Sequence, residues 1–272
     1  MTGETTAQDV AVRASQLTKR FGSFTAVSRL DLTIRYGEIF GLLGPNGAGK
    51  STTIKMLITL LAPTSGTAVI AGFDVADSSM DVRRRIGYVP QMLSADGGLT
   101  GRENLTLSAR LYGMPRHERS ENIRHALKFM GLEAHADKLV KAYSGGMIRR
   151  LEIAQALLHH PAVLVLDEPT IGLDPVARHA VWERLKVLRR DLGLTVLITT
   201  HDMEEADELC DELVILHHGK KIVAGKPADL KAAIGPDATL DDVFTSSCGV
   251  IIQESGDFRN VNQTRRTARR LG

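Results

Sequence analysis

Ile39-Phe40-Gly41-Leu42-Leu43-Gly44-Pro45-Asn46-Gly47-Ala48-Gly49-Lys50-Ser51-Thr52 is the stretch on which the fold turns. Its first five residues form a short, unbroken apolar run of the kind that fills a strand buried on both faces. The next eight, Gly44 to Ser51, satisfy G-x-x-x-x-G-K-[ST], and a helical run over Thr52 to Leu61 follows. Glycines 44, 47 and 49 let the backbone curl so that successive N–H groups face one anion, and the helix adds the positive end of its dipole. Lys50 then supplies a point charge for the outer phosphates of a nucleotide, and the Ser51 hydroxyl is placed for Mg²⁺. A plain glycine-rich turn would need neither the strand before it nor the helix after it.

Upstream, Val10 to Ile34 alternates like strands of an antiparallel sheet, most clearly where Leu30, Leu32 and Ile34 are interleaved with Asp31, Thr33 and Arg35. Downstream, Ala162 to Leu166 and Thr195 to Thr200 read as buried strands separated by a helix over Val176 to Asp191. Strand, helix, strand in that order predicts a parallel sheet with crossover helices. Between about Thr100 and His160, apolar residues such as Leu105, Ile123, Leu127 and Met130 recur at helical spacing, which predicts a helical insert. Leu213 to Val223 reads as a hairpin turning near His218-Gly219.

The strand Val163-Leu164-Val165-Leu166 ends in Asp167 and Glu168. Asp167, beside the loop of a neighbouring strand, can hold Mg²⁺ through water, while Glu168 can orient and deprotonate an attacking water. Helix capping is the competing role for two such carboxylates, but Pro169 and Thr170 follow in place of a helical run.

Composition agrees with a cytoplasmic globular protein and adds little else. The 34 basic and 32 acidic side chains leave a net charge of +2, so no global field points to nucleic acid or membrane. Two cysteines, Cys210 and Cys248, are too few for a disulfide framework. No apolar run approaches the roughly 20 residues that span a bilayer, and the first residues lack the order of a signal peptide.

Four further fragments narrow the reading from phosphate-binding loop to family. Tyr143-Ser144-Gly145-Gly146-Met147 resembles the signature of ABC-type ATPases, with Tyr143 and Met147 in place of the usual leucine and glutamine. Ser144 at a helix start is also a second anion-binding end in its own right. Gln91 matches the Q-loop glutamine, His201 the switch histidine at a strand end, and Asp174 in Gly172-Leu173-Asp174-Pro175 the D-loop aspartate. Phe21 matches the aromatic that stacks on adenine, a role for which a core phenylalanine competes.

The resemblance covers roughly residues 10 to 230, with the motifs in order. It implies an α/β fold: a RecA-like P-loop core, an antiparallel β-subdomain and an inserted helical subdomain. It implies ATP and Mg²⁺ as cofactors. The nucleotide site would comprise Gly44, Pro45, Asn46, Gly47, Ala48, Gly49, Lys50, Ser51 and Thr52 with Phe21. Ser144, Gly145, Gly146 and Asp174 would act from a partner subunit, Ser51, Gln91 and Asp167 would hold the metal, and Glu168, His201, Gln91 and Lys50 would be catalytic. The expected assembly is a homodimer, or a pair with a second ATPase subunit, peripheral on the inner face of the membrane beside a separate permease. Domain bounds are set at 1–228, with the helical subdomain at about 92–160, and at 229–272 for a C-terminal extension.

Leu99-Thr100-Gly101-Arg102-Glu103-Asn104-Leu105 and Thr239-Leu240-Asp241-Asp242-Val243-Phe244 are similar to segments of ABC-2 type exporters, including the daunorubicin-resistance group, and favour export over import. A soluble ABC-type ATPase acting on ribosomes or nucleic acid is the alternative, and no nucleic-acid partner is expected. A GTPase or metabolic kinase would leave the signature unexplained. Arg265 with Arg269 and Arg266 with Arg270 are spaced i to i+4, with Arg259 ahead of them, so a helix there would align the four in one strip for contact with anionic lipid head groups; a solvated or disordered terminus is the favoured competing reading.

Overall fold

The computed structural model describes residues 9–254, so the arginines from Arg259 onward lie outside the described residues. Two long strands, β1 (Val10–Phe21) and β2 (Phe24–Arg35), pair antiparallel and bury one face each: Leu30, Leu32 and Ile34 point inward while Thr33 and Arg35 are exposed. The buried strand β3 (Ile39–Leu43) leads into helix α1 (Lys50–Leu57). That helix starts two residues earlier and stops four residues sooner than the sequence reading placed it, because Thr59 takes a φ of 64° and closes it.

Strands β4 (Ser65–Ile70) and β5 (Phe73–Asp74), helix α2 (Ser79–Arg85) and strand β6 (Ile86–Val89) follow. The next elements are all helical: α3 (Gly101–Leu111), α4 (Arg116–Phe129) and α5 (Gly145–Leu157). Helix α3 opens with a reciprocal cap in which the Thr100 hydroxyl accepts the Glu103 N–H and the Glu103 carboxylate accepts the Thr100 N–H. The chain then returns to the core through β7 (Val163–Asp167), α6 (Pro175–Leu192), β8 (Thr195–Thr200), α7 (Met203–Leu209) and the hairpin of β9 (Glu212–His217) and β10 (Lys220–Gly225). Helices α8 (Pro227–Ala232) and α9 (Leu240–Glu254) complete the described chain.

The strands make two sheets. One has four antiparallel strands in the order β2-β1-β4-β5, and the other has six in the order β10-β9-β3-β8-β7-β6. Within the larger sheet β9, β3, β8, β7 and β6 run parallel and only β10 is antiparallel, as the predicted crossovers require. Its strands are apolar without break yet serve two cores by alternation. Leu164 and Leu166 pack with Ile39, Leu43, Val196 and the residues of α3 to α6, whereas Val163 and Val165 pack with Phe40, Leu42, Leu197 and the smaller sheet.

Helix α5 is buried on more than one face. It runs between α3, α4, α6 and β6, so that Arg149, Leu151, Glu152, Ile153, Ala154 and Ala156 are all buried. Two of those six are charged.

Candidate functional site

The loop Gly44 to Ser51 lies between the end of β3 and the start of α1, and the sequence dictates its close approach to both flanks. A Cβ on Gly44, at φ 145°, would stand 2.3 Å from the Leu216 carbonyl oxygen, and one on Gly49, at φ 104°, would stand 2.7 Å from that of Ala26. Only glycine fits either place. The loop faces a cleft of about 240 Å³ whose lining joins Pro45 to Thr52 with Phe24, Ala26, Gln91 and Glu168.

Lys50 is buried and its ammonium donates to the Gly44 carbonyl oxygen at 2.7 Å, with Glu168 Oε1 at 3.2 Å. Ser51 Oγ lies 3.5 Å from Asp167 Oδ1, so a hydroxyl from α1 and a carboxylate from β7 converge on one spot. With the Gln91 amide on the same cleft, the donors are all hard oxygens, which suits Mg²⁺. The ring of N–H groups and Lys50 suits a nucleotide phosphate chain.

Glu168 is the first residue past β7 and takes a φ of 48°, a left-handed conformation that costs a β-carbon residue on the order of 1–3 kcal/mol. The neighbouring strand holds it there. Its N–H donates both to the Thr199 carbonyl oxygen and to Thr199 Oγ1, each at 3.0 Å, while the Thr199 hydroxyl donates to Asp167 Oδ1 at 2.5 Å. One threonine of β8 thereby holds the Asp167 carboxylate and the main chain of Glu168. His201, just past the end of β8, places Nδ1 3.1 Å from Glu168 Oε2.

Glu168 also borders a second cavity of about 160 Å³, lined by Thr170 to Leu173, Arg178, Thr200 to Asp202 and Glu205. Glu205 is buried and accepts hydrogen bonds from Thr170 Oγ1 at 2.7 Å and Trp182 Nε1 at 3.0 Å. Burial holds its carboxyl above the ordinary glutamate range, against the pull of its hydrogen-bond donors.

The structure thus brings Lys50, Ser51, Gln91, Asp167, Glu168 and His201 together. It does not bring Ser144, Asp174 or Phe21 into the same cleft. Ser144 caps α5, its hydroxyl accepting the Met147 N–H at 3.3 Å, and Asp174 caps α6 by accepting the Ala177 N–H at 2.9 Å. The two caps are neighbours, since a Cβ on Gly146 would meet that of Ala177 at 2.7 Å. Phe21 is not a core residue: it sits half exposed at the tip of the β1–β2 hairpin, opposite Phe24. It is Phe24 that lines the cleft.

Sequence reasoning passed over Thr199, Phe24, Glu205 and the buried pair Arg149 and Glu152. The pair alone carried a signal, two opposite charges at i and i+3 in a mostly apolar helix.

The chain matches the family model described as ABC transporter over residues 27–171. It is 49% identical over 219 residues to the Nod factor export ATP-binding protein I of Sinorhizobium fredii, a match covering 80% of this chain and 64% of that one, so it spans just under two-thirds of that relative. It is 46% identical over 259 residues to the daunorubicin/doxorubicin resistance ATP-binding protein DrrA of Streptomyces peucetius, covering 91% of this chain and 78% of that one. Among solved structures, the ATP binding subunit of an ABC transporter superposes with a TM-score of 0.77 at 32% identity, covering 88% and 99% of the two chains. A dimeric ATP-binding cassette in a post-hydrolysis state, bound to ADP and Pi, superposes at 0.70 with 30% identity, covering 79% and 98%.

Proposed function

Because the chain belongs to the ABC transporter family, we propose that it is the ATP-binding and ATP-hydrolysing subunit of an exporter, working as a dimer on a separate membrane permease of the ABC-2 type. One observation carries this reading: the chain presents two helix N-termini of the kind suited to phosphate, at α1 and at Ser144 of α5, and only the first borders its own cleft. A second copy supplies the natural use for the other. Relatives named for Nod factor export and for daunorubicin/doxorubicin resistance support export as the direction. Residues 1–228 are the ATPase domain in this reading, with its helical subdomain at about 92–160, and residues 229–272 form an extension whose basic end touches anionic lipid.

The loop Gly44 to Thr52 holds the triphosphate by its N–H groups, and Lys50 neutralises the outer phosphates. Ser51, Gln91 and Asp167 hold Mg²⁺, which when bound neutralises charge on the transferred phosphoryl group. Glu168 takes the proton of the attacking water, and His201, hydrogen-bonded to Glu168 in the structure, reaches from it toward the γ-phosphate. The hydroxyl and N–H groups at Ser144, with Gly145 and Gly146, close on the nucleotide held by the partner, beside Asp174.

Mixing two inactive subunits tests the shared site. Ser144→Arg blocks the helix end that serves the partner but leaves the subunit's own loop able to bind nucleotide, whereas Lys50→Ala does the reverse. A heterodimer of the two has one site lacking both elements and one intact. ATPase activity should reappear on mixing, and lost nucleotide binding in the Ser144→Arg monomer would instead place Ser144 in its own site.

A further inference from the structure

The segment carrying Gln91 is gripped at both ends by one buried ion pair on α5. Arg149 and Glu152 are 2% and 3% exposed, and their Nη1 and Oε2 atoms are 3.0 Å apart. Arg149 also donates from Nη1 to the Pro90 carbonyl oxygen at 2.7 Å and from Nη2 to that of Gln91 at 2.8 Å. Glu152 Oε1 accepts from the Ser94 N–H, from the Ser94 hydroxyl at 3.0 Å and from the Ala95 N–H at 3.3 Å. The contacts on the loop side are almost all backbone, so they fix the path of the main chain whatever side chains Gln91, Met92 and Leu93 carry.

Stability alone does not account for such a pair. Taking two charges out of water costs about as much as their attraction returns, and well-packed apolar residues in the same space are often at least as stable. The Arg149 Nε is moreover buried without a partner, so the guanidinium forgoes one hydrogen bond while its two terminal nitrogens span successive carbonyls. What the pair supplies is a rigid link, because a planar fork fixes direction as well as distance. The helix that carries it begins at Ser144, a turn or so away.

We propose that Arg149 and Glu152 are positioning residues that tie the main chain around Gln91 to the helix begun by Ser144, so that engagement of Ser144 by a partner's nucleotide sets the Gln91 amide in its own subunit's cleft. Each subunit's metal and water site is then tuned by the state of its neighbour's. The inference rests on the reading of Gln91 as a contact to Mg²⁺ and the attacking water.

A double-mutant cycle on the purified full-length subunit tests it, using Gln91→Ala, Arg149→Lys and the combination. Lysine keeps a cation opposite Glu152, but a single ammonium cannot fork across both carbonyls. Arg149→Lys should lower kcat about tenfold through misplacement of Gln91, with ATP affinity and the thermal midpoint close to the parent. In the Gln91→Ala background the same change should cost less than about twofold, since the group it positions is gone. Should Arg149→Lys fold poorly, Ser94→Ala, on the exposed side of the contact, enters the cycle in its place with a smaller loss. Losses that multiply in the combined variant overturn the inference alone. Full activity in Gln91→Ala overturns the reading of Gln91 and the inference with it.

Discussion

The Lys50 ammonium stands 3.2 Å from Glu168 Oε1, with the two side chains 4% and 7% exposed, so the phosphate-binding loop and the end of β7 meet through a buried ion pair. Glu168→Gln keeps an oxygen for Lys50 and the shape of the side chain but removes the base. The variant should fold and bind ATP, hydrolyse it about 10²- to 10⁴-fold more slowly, and accumulate as a dimer with ATP and Mg²⁺. Phosphate release and gel filtration check the two halves, and ordinary turnover would remove Glu168 from its assigned role.

Thr199 joins the Asp167 carboxylate to the main chain of Glu168, and its hydroxyl is the joint. Thr199→Val keeps the volume and the carbonyl contact to the Glu168 N–H but removes the short hydrogen bond to Asp167 Oδ1, leaving that oxygen only the longer contact from the Ser51 hydroxyl. Hydrogen bonds to charged groups contribute about 1.5–3 kcal/mol, so the effect on turnover or on the Mg²⁺ concentration for half activity should be at least about tenfold. Thr199→Ser should restore most of it. Parent-like Mg²⁺ dependence in the valine variant would mean that Asp167 is held by β7 alone.

At the tip of the β1–β2 hairpin, Phe24 lines the cleft while Phe21, its cross-strand partner, stands half exposed beside Lys19. Removing a stacking ring costs about 1–3 kcal/mol. The geometry therefore predicts that Phe24→Ala raises the KM for ATP by roughly tenfold with kcat little changed, and that Phe21→Ala has the smaller effect. The reverse ranking, from steady-state kinetics over an ATP series, would restore the stacking role to Phe21.

How much of this was legible in the sequence depends on the kind of residue. Strands β3, β7 and β8 and the hairpin of β9 and β10 were readable because unbroken apolar runs ending in glycine, acidic or histidine motifs leave few alternatives. The carboxylates and His201 were readable because strand ends project them into one place. Thr199 was not, since a threonine inside a buried strand looks like any β-branched core residue, and its hydroxyl acquires a task only when β7 and β8 pair. Arg149 and Glu152 escaped for the opposite reason. Charges on a helix normally mark its solvent face, and only the packing of α3, α4 and α6 around α5 puts them inside.

Glu205 provides a pH signature of the core next to the site. Desolvation raises its carboxyl above the ordinary value of 4.5, the hydrogen bonds from Thr170, Thr200 and Trp182 oppose the rise, and the charge of Asp202 adds to it. The folded protein therefore holds this proton more tightly than the unfolded chain does. The associated stability is present in full below 4.5 and is lost as pH rises through the folded value, because an unfolded chain ionises the group freely while the fold must bury a charge. Glu205→Gln keeps an oxygen for the Thr170 and Trp182 donors and carries no charge at any pH. Thermal midpoints of parent and variant, measured in parallel from just below 4.5 upward, should separate progressively in the variant's favour and level off once the parent's carboxyl has ionised. Groups common to both proteins cancel in that difference. A gap that stays constant across the series would mean that Glu205 keeps one protonation state throughout, and the raised carboxyl would have to be abandoned.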